Sequence, residues 1–197
     1  MPYYIGDVIR DEKMLVARTP ERFREAGIEV RLHATVESID ADRGRVRMTD
    51  GEPLPYDVLV LATGAAPRLP AGPGFDLPGV FLLKNLADAV RIKAHVNRSA
   101  CRRAVVIGAG FIGMEMCEAL RERGMETTVV HRGEWPVARW DAEFAREILA
   151  ALERNGCAFF ANTELHGIET GDSCPLKVMT SRGPIEADLV LVAVGIA

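Results

Sequence analysis

Residues 103–115, Arg103-Ala-Val-Val-Ile-Gly108-Ala-Gly110-Phe-Ile-Gly113-Met-Glu115, decide how the chain is read. A short β-type run ends in GxGxxG. A helical pattern follows, with Ile112, Met116, Ala119 and Leu120 on one face and a stop at Gly124. A second apolar run, Glu126 to His131, comes next. In this strand–turn–helix–strand context the glycines spell a dinucleotide site rather than a plain turn. Gly108 permits the tight turn, Gly110 lets backbone approach a pyrophosphate, and Gly113 allows close helix–strand packing. Ala109, Phe111 and Ile112 complete that cradle, where a helix N-terminus offers unpaired N–H groups and a positive dipole end. Glu115 has two open readings, a complement to the helix dipole or a contact with the nicotinamide nucleotide.

The end of the second strand chooses between cofactors. A carboxylate there reads the ribose of NAD, whereas a basic residue accommodates the 2′-phosphate of NADP. His131 and Arg132 stand at that place, so NADP is expected over NAD, with Glu134 as the alternative reader. Trp135 and Trp140 read as packing residues.

Outward from the motif, Asn85 caps a helix through Asn97, and Asp141 caps one running to Asn155. Strands are expected at 157–161, 164–169, 176–181 and 188–194. Upstream, Thr19 to Gly27 reads as a short helix with threonine as cap and proline first. Ile28 to Leu32, Ala34 to Ile39 and Arg45 to Thr49 alternate as strands, and Val58 to Leu61 reads as a strand buried on both faces. Residues 66–79 hold four prolines and three glycines, a loop or linker. The expected fold is α/β: a Rossmann-like, doubly wound domain at 99–197, and a portion rich in short strands at 1–98.

Asp57-Val-Leu-Val-Leu-Ala-Thr-Gly64 repeats as Asp188-Leu-Val-Leu-Val-Ala-Val-Gly195. Two copies of one architecture are implied. Gly108 precedes Gly195 by 87 positions, and the same interval before Gly64 falls ahead of residue 1. The chain is therefore expected to start inside its first repeat.

The 197 residues carry 24 basic and 28 acidic side chains, a net charge of −4 with no basic run, which argues against a nucleic-acid binder. A content of 48% hydrophobic and 26% charged residues excludes disorder as a description of the whole chain. Apolar runs such as Leu189 to Ala197 fall far short of the roughly 20 residues that span a bilayer, so no membrane partner is expected. Four cysteines lack CxxC spacing and stand apart from the histidines, so no metal site is expected. They read as reduced thiols of a cytoplasmic protein.

Tyr56–Ala65 (YDVLVLATGA), Val105–Glu115 (VVIGAGFIGME) and Ala187–Ile196 (ADLVLVAVGI) resemble the pyridine nucleotide-disulfide oxidoreductase family. Pro2–Gly6 (PYYIG) and Leu15–Glu21 (LVARTPE) are similar to its coenzyme A-disulfide reductase and NADH oxidase branch. The resemblance implies an NAD(P)-binding domain inserted in an FAD-binding domain, and hydride passing from NAD(P)H to FAD and on to a disulfide or oxygen. It assigns Phe111 to an aromatic position covering the flavin, Thr63 and Gly64 to backbone approach to FAD, and Val194 and Gly195 to the nicotinamide. It places the redox cysteine just upstream of Met1, leaving no catalytic residue here, and a dimerisation domain after Ala197. FAD is accordingly expected in the full-length homodimer and not in this fragment. A non-catalytic dinucleotide-binding module, or a fragment whose first-repeat strands pair with another copy, are the alternative readings.

Overall fold

Strands form where a run of β-branched residues finds a neighbour on each side, and the second half of the chain meets that condition repeatedly. The computed structural model describes residues 1–98, 101–138, 140–171 and 174–196. In chain order the elements are α1 (Pro2–Ile5), a 3-10 turn (Glu12–Leu15), α2 (Pro20–Glu25), β1 (Val36–Asp40), β2 (Arg45–Met48), β3 (Leu54–Pro55), β4 (Val80–Leu82) and α3 (Leu86–Val96). They continue with β5 (Arg103–Ile107), α4 (Phe111–Glu122), β6 (Glu126–Val130), α5 (Ala142–Arg154), β7 (Cys157–Phe160), β8 (Leu165–Thr170), β9 (Leu176–Thr180), β10 (Gly183–Ala187) and β11 (Leu189–Val192). Two compact units result, one of Met1–Leu15 with Ala65–Ala197, the other of Val16–Gly64. Compactness thus divides the chain elsewhere than at residue 98.

In the larger unit a five-stranded parallel sheet runs β4-β11-β5-β6-β7. Period-2 alternation gives its strands two apolar faces. Ala104, Val106, Val129, Leu189 and Leu191 pack with Ile92, Met116, Leu120 and Leu152 of the helices. Val105, Ile107, Val130, Val190 and Val192 pack instead with Ile168, Leu176, Val178 and Ala187. The second face is thus covered by the antiparallel sheet β10-β9-β8 rather than by helices. The return from β7 to β11 is made of β-hairpins, and these bury the valine face as a helix would. The expected α/β parallel architecture holds, with that substitution of layer.

Residues 1–15 belong to this unit because α1 buries Tyr4 and Ile5 in the helical core. Asp7 ties it down with ion pairs to Lys93 (2.8 Å) and Arg123 (3.2 Å). The proline-rich loop is no free linker. Pro73 accepts from Ile168 N–H at 3.0 Å, and the Pro67–Ile196 bridge joins its start to the segment after β11.

Helix α3 starts as its sequence dictates. Asn85 accepts from Asp88 N–H at 3.0 Å, and Asp88 accepts from Asn85 N–H (3.1 Å), Lys84 N–H (2.9 Å) and Arg91 Nη2 (2.6 Å). Burial alone would raise the Asp88 carboxyl, yet Arg91 and the two backbone donors hold it below its ordinary value. Asp88→Ala is expected to cost about 1–2 kcal/mol in urea unfolding, through the lost cap and orphaned donors. Because the folded value is depressed, this contribution is present above about pH 4. It fades as pH falls through the folded value. A wild-type–variant difference that stays constant between pH 7 and pH 2 would contradict the assignment.

In the smaller unit α2 is capped by Thr19, whose hydroxyl accepts from Arg22 N–H at 3.5 Å, and β1-β2-β3 form an antiparallel sheet. Two expectations fail there. Ile28 to Leu32 is not a strand, and Val58 to Leu61 is neither strand nor buried, with Val58 82%, Val60 79% and Leu61 68% exposed. A ladder needs a partner, and among the described residues none pairs with either run. Two short strands escape the sequence reading. β4 offers three residues, too few for a period, and β10 carries Pro184.

Candidate functional site: the glycine turn at the sheet's switch point

Strand order reverses between β5 and β11. β6 and β7 extend the sheet on one side of β5, and β11 and β4 on the other. In open α/β sheets the crevice beyond the carboxyl ends at such a reversal receives ligands. The glycine turn lies there. Ala193 N–H donates to Ile107 carbonyl at 2.8 Å, and Gly108 N–H to Val130 carbonyl at 2.9 Å, so three strand ends are tied together.

Each glycine has its own physical reason. Gly108 sits at φ 101°, and a Cβ there would lie 2.5 Å from the Ala193 carbonyl oxygen. Gly113 is buried with its Cα against the Gly108 carbonyl, so a Cβ would overlap that oxygen. Gly110 differs from both. Its φ of −81° and ψ of −176° suit any residue, and a Cβ would meet nothing within 4 Å. The fold has no need of glycine at 110. The open space above it faces the first turn of α4, whose leading N–H groups lack intrahelical partners.

Ala109 is buried, and its carbonyl accepts from Val137 N–H at 2.8 Å, so the loop after β6 rests on the glycine turn. Val137 takes φ 48°, a strained value for a β-branched residue. Phe111, 55% exposed, meets the edge of Trp140 at 5.3 Å between centroids, and Trp140 meets Phe144 at 5.9 Å. Ile112 and Glu115 are exposed along the same helix. Trp140 was expected only to pack, yet it stays 48% exposed beside Phe111. The signal for it was topological: a loop leaving β6 must pass the end of neighbouring β5.

Val194 and Gly195 are exposed just past β11, adjoining the turn through Ala193. Gly195 takes φ 111°, and its carbonyl accepts from Arg68 N–H at 2.9 Å. His131 and Arg132 follow β6 but diverge. The His131 ring is half-buried beside Phe159 and Gly133, whereas Arg132 is exposed. Burial lowers the His131 pKa, a hydrogen bond with the Trp135 backbone opposes this, and the Arg132 charge lowers it further. The net direction is down, so the ring is neutral near pH 7. Thr63 and Gly64 (φ 75°) lie in the Val16–Gly64 unit and are exposed. The structure therefore brings together Gly108–Gly113, Glu115, Val194 and Gly195, flanked by 131–132.

A parallel sheet with a glycine turn and open helix N-terminus at its switch point defines a dinucleotide-binding type of fold. The chain belongs to the pyridine nucleotide-disulphide oxidoreductase family, whose model matches residues 3–197. It is 36% identical over its whole length to the NAD(P)H sulfur oxidoreductase (CoA-dependent) of Pyrococcus abyssi, covering 44% of that protein. The reduced CoADR-RHD structure of Bacillus anthracis superposes with TM-score 0.91 at 31% identity, covering 99% of this chain and 36% of the other. An engineered NADPH oxidase derived from the Lactobacillus brevis NADH oxidase, bound to NADPH, gives 0.89 at 26% identity, with 99% and 44% covered. Its substitutions replace an aspartate by alanine and two other residues by arginine. The chain spans less than half the length of the curated relative it matches. Among the described residues no helix is long and apolar enough to cross a membrane.

Proposed function

We propose that this chain is the NAD(P)H-binding portion of a flavin-dependent oxidoreductase, one that passes hydride from NAD(P)H to FAD and on to a disulfide or to oxygen. The observation that carries it is Gly110, a glycine that neither its dihedrals nor its neighbours require, at the mouth of a helix N-terminus. A ligand whose oxygens come within hydrogen-bonding distance of backbone accounts for it.

Bound in this crevice, the reduced nicotinamide supplies the hydride. The chain's own residues bind and orient. Backbone N–H groups of 110–113 receive the pyrophosphate, and Phe111, Val194 and Gly195 flank the nicotinamide half. Glu115 contacts that half or complements the helix dipole, and Arg132 attends the adenosine ribose. Residues 99–197 form the nicotinamide-nucleotide part and residues 1–98 part of the flavin side, where Thr63 and Gly64 approach FAD through backbone. The whole enzyme works as a homodimer in the cytoplasm, a compartment that the four free cysteines suit.

Calorimetric titration of NADPH and NADH against wild type and Gly110→Val tests this reading. The variant is expected to keep its melting temperature and to lose at least about tenfold in affinity for both, the order expected for losing a charge-assisted hydrogen bond to phosphate. Unchanged affinity in the folded variant overturns the assignment.

A further inference from the structure

Helix α4 carries Cys117 on its buried face, with Arg121 one turn further on. β7, at the sheet edge, begins with Cys157 directly after the exposed Gly156. The two thiols share one core, 1% and 5% exposed, and the Cys117 thiol hydrogen-bonds the Cys157 sulfur. Arg121 covers the same place. Its Nη1 donates to the Met125 carbonyl at 2.9 Å, and its Nη2 lies 3.2 Å from where a Cβ on Gly156 would stand. Its Nε is buried with no hydrogen-bond partner among the described residues. The nucleotide crevice uses none of these three side chains.

Two thiols in hydrogen-bond contact beside a guanidinium with a spare donor form an asymmetric pair. The hydrogen bond from Cys117 brings the Cys157 thiol down to about 7, against its burial and with help from the Arg121 charge. Cys117 is pushed up by the same hydrogen bond, by burial and by the neighbouring negative charge. Cys157 is then the nucleophile and Cys117 the resolving thiol.

We propose that Cys157 and Cys117 are an oxidisable dithiol that reduces a small soluble disulfide and closes into a bond between β7 and α4, with Arg121 as its positioning residue. The Cys157 thiolate attacks one sulfur of RSSR, forming a mixed disulfide and releasing RS⁻, which takes up a proton. Cys117 loses its proton and attacks the Cys157 sulfur, expelling the second RS⁻. Two protein thiols are oxidised by two electrons, and RSSR is reduced to two RSH. Opening of the edge strand next to Gly156 admits the disulfide.

The test uses the full chain, oxidised glutathione as probe, alkylation of the remaining thiols, and peptide mass spectrometry. Wild type is expected to lose two of its four thiols and to yield a Cys117–Cys157 cross-linked peptide. Cys117→Ser is expected to trap one glutathione on Cys157, and Cys157→Ser to leave Cys117 unmodified. Arg121→Gln is expected to shift the pH–rate midpoint upward. A rise of one pKa unit lowers the thiolate fraction at pH 7 about fivefold, and the rates converge above pH 9. Absence of the cross-link in wild type, glutathione appearing on Cys101 or Cys174 instead, or a Cys117→Ser chain that leaves Cys157 free overturns the proposal. Should a variant fail to fold, the wild-type cross-link alone decides. None of these readouts involves nucleotide affinity, so failure here and failure of the nucleotide reading are distinguishable.

Discussion

Gly113→Ala is expected to destabilise the chain by about 3 kcal/mol, whereas Gly110→Ala costs no more than about 1 kcal/mol. The two positions are three residues apart in one turn, so composition and propensity do not separate them. Packing does. A methyl on Gly113 overlaps the Gly108 carbonyl and stands 3.5 Å from Val106 Cγ1. The Gly108 carbonyl belongs to backbone pinned at Val130, so little can yield. Helix α4 must lift from β5, loosening Met116 and Leu120 where they pack on the sheet. A loss of 3 kcal/mol lowers the folding equilibrium about 150-fold. At Gly110 the same methyl enters open space, and its only cost is a poorer residue at the helix cap. Urea unfolding of both variants without nucleotide measures the contrast. Equal losses, or a Gly113→Ala midpoint equal to wild type, would show that α4 slides without penalty.

The repeat shows where the sequence is legible and where it stops. Asp188–Gly195 and Asp57–Gly64 share an opening aspartate, an alternating leucine–valine run and a closing glycine. The first becomes β11, its four residues at most 3% exposed between β4 and β5. Asp188 accepts from Arg102 and Arg103 N–H at 2.9 and 2.8 Å and anchors its start. The second is extended, unpaired and exposed. Local pattern sets the tendency to be a strand, while the ladder and the burial come from neighbours distant in sequence. That is why β5, α4, β6, α5 and β7 were legible to within a residue or two at each end. Their caps, glycines and periods are local, and their pairing partners are present. The burial of Val58 to Leu61 and the β-layer over the valine face depend on which chains meet, and no local pattern encodes that. Within the site, the glycine roles followed from residue type and context alone. The aromatic contact of Phe111 with Trp140 did not, because it joins the ends of different strands.

Arg132 is expected to make NADPH bind about 10- to 150-fold more tightly than NADH. Arg132→Ala should remove most of that margin by weakening NADPH alone. The magnitude follows from a charge-assisted hydrogen bond of about 1.5–3 kcal/mol between guanidinium and the 2′-phosphate. The geometry narrows the choice of reader. His131 is half-buried against Phe159 and held below its ordinary pKa, so it is neutral near pH 7 and adds charge only in acid. Arg132 is exposed at the end of β6, free of that constraint. Glu134 is exposed two residues on and is the competing reader for NADH. An exposed ion pair is screened, so the selectivity should lie at the lower end of its range and shrink as salt is raised from 0.05 to 0.5 M, about a threefold change in Debye length. Selectivity should also rise modestly as pH falls below the ordinary histidine range, provided the phosphate retains its charge. Titrating both nucleotides against wild type, Arg132→Ala and Glu134→Gln at two salt concentrations separates the readers. A preference for NADPH that survives Arg132→Ala, or one for NADH that Glu134→Gln abolishes, would move the selectivity from the guanidinium to another residue.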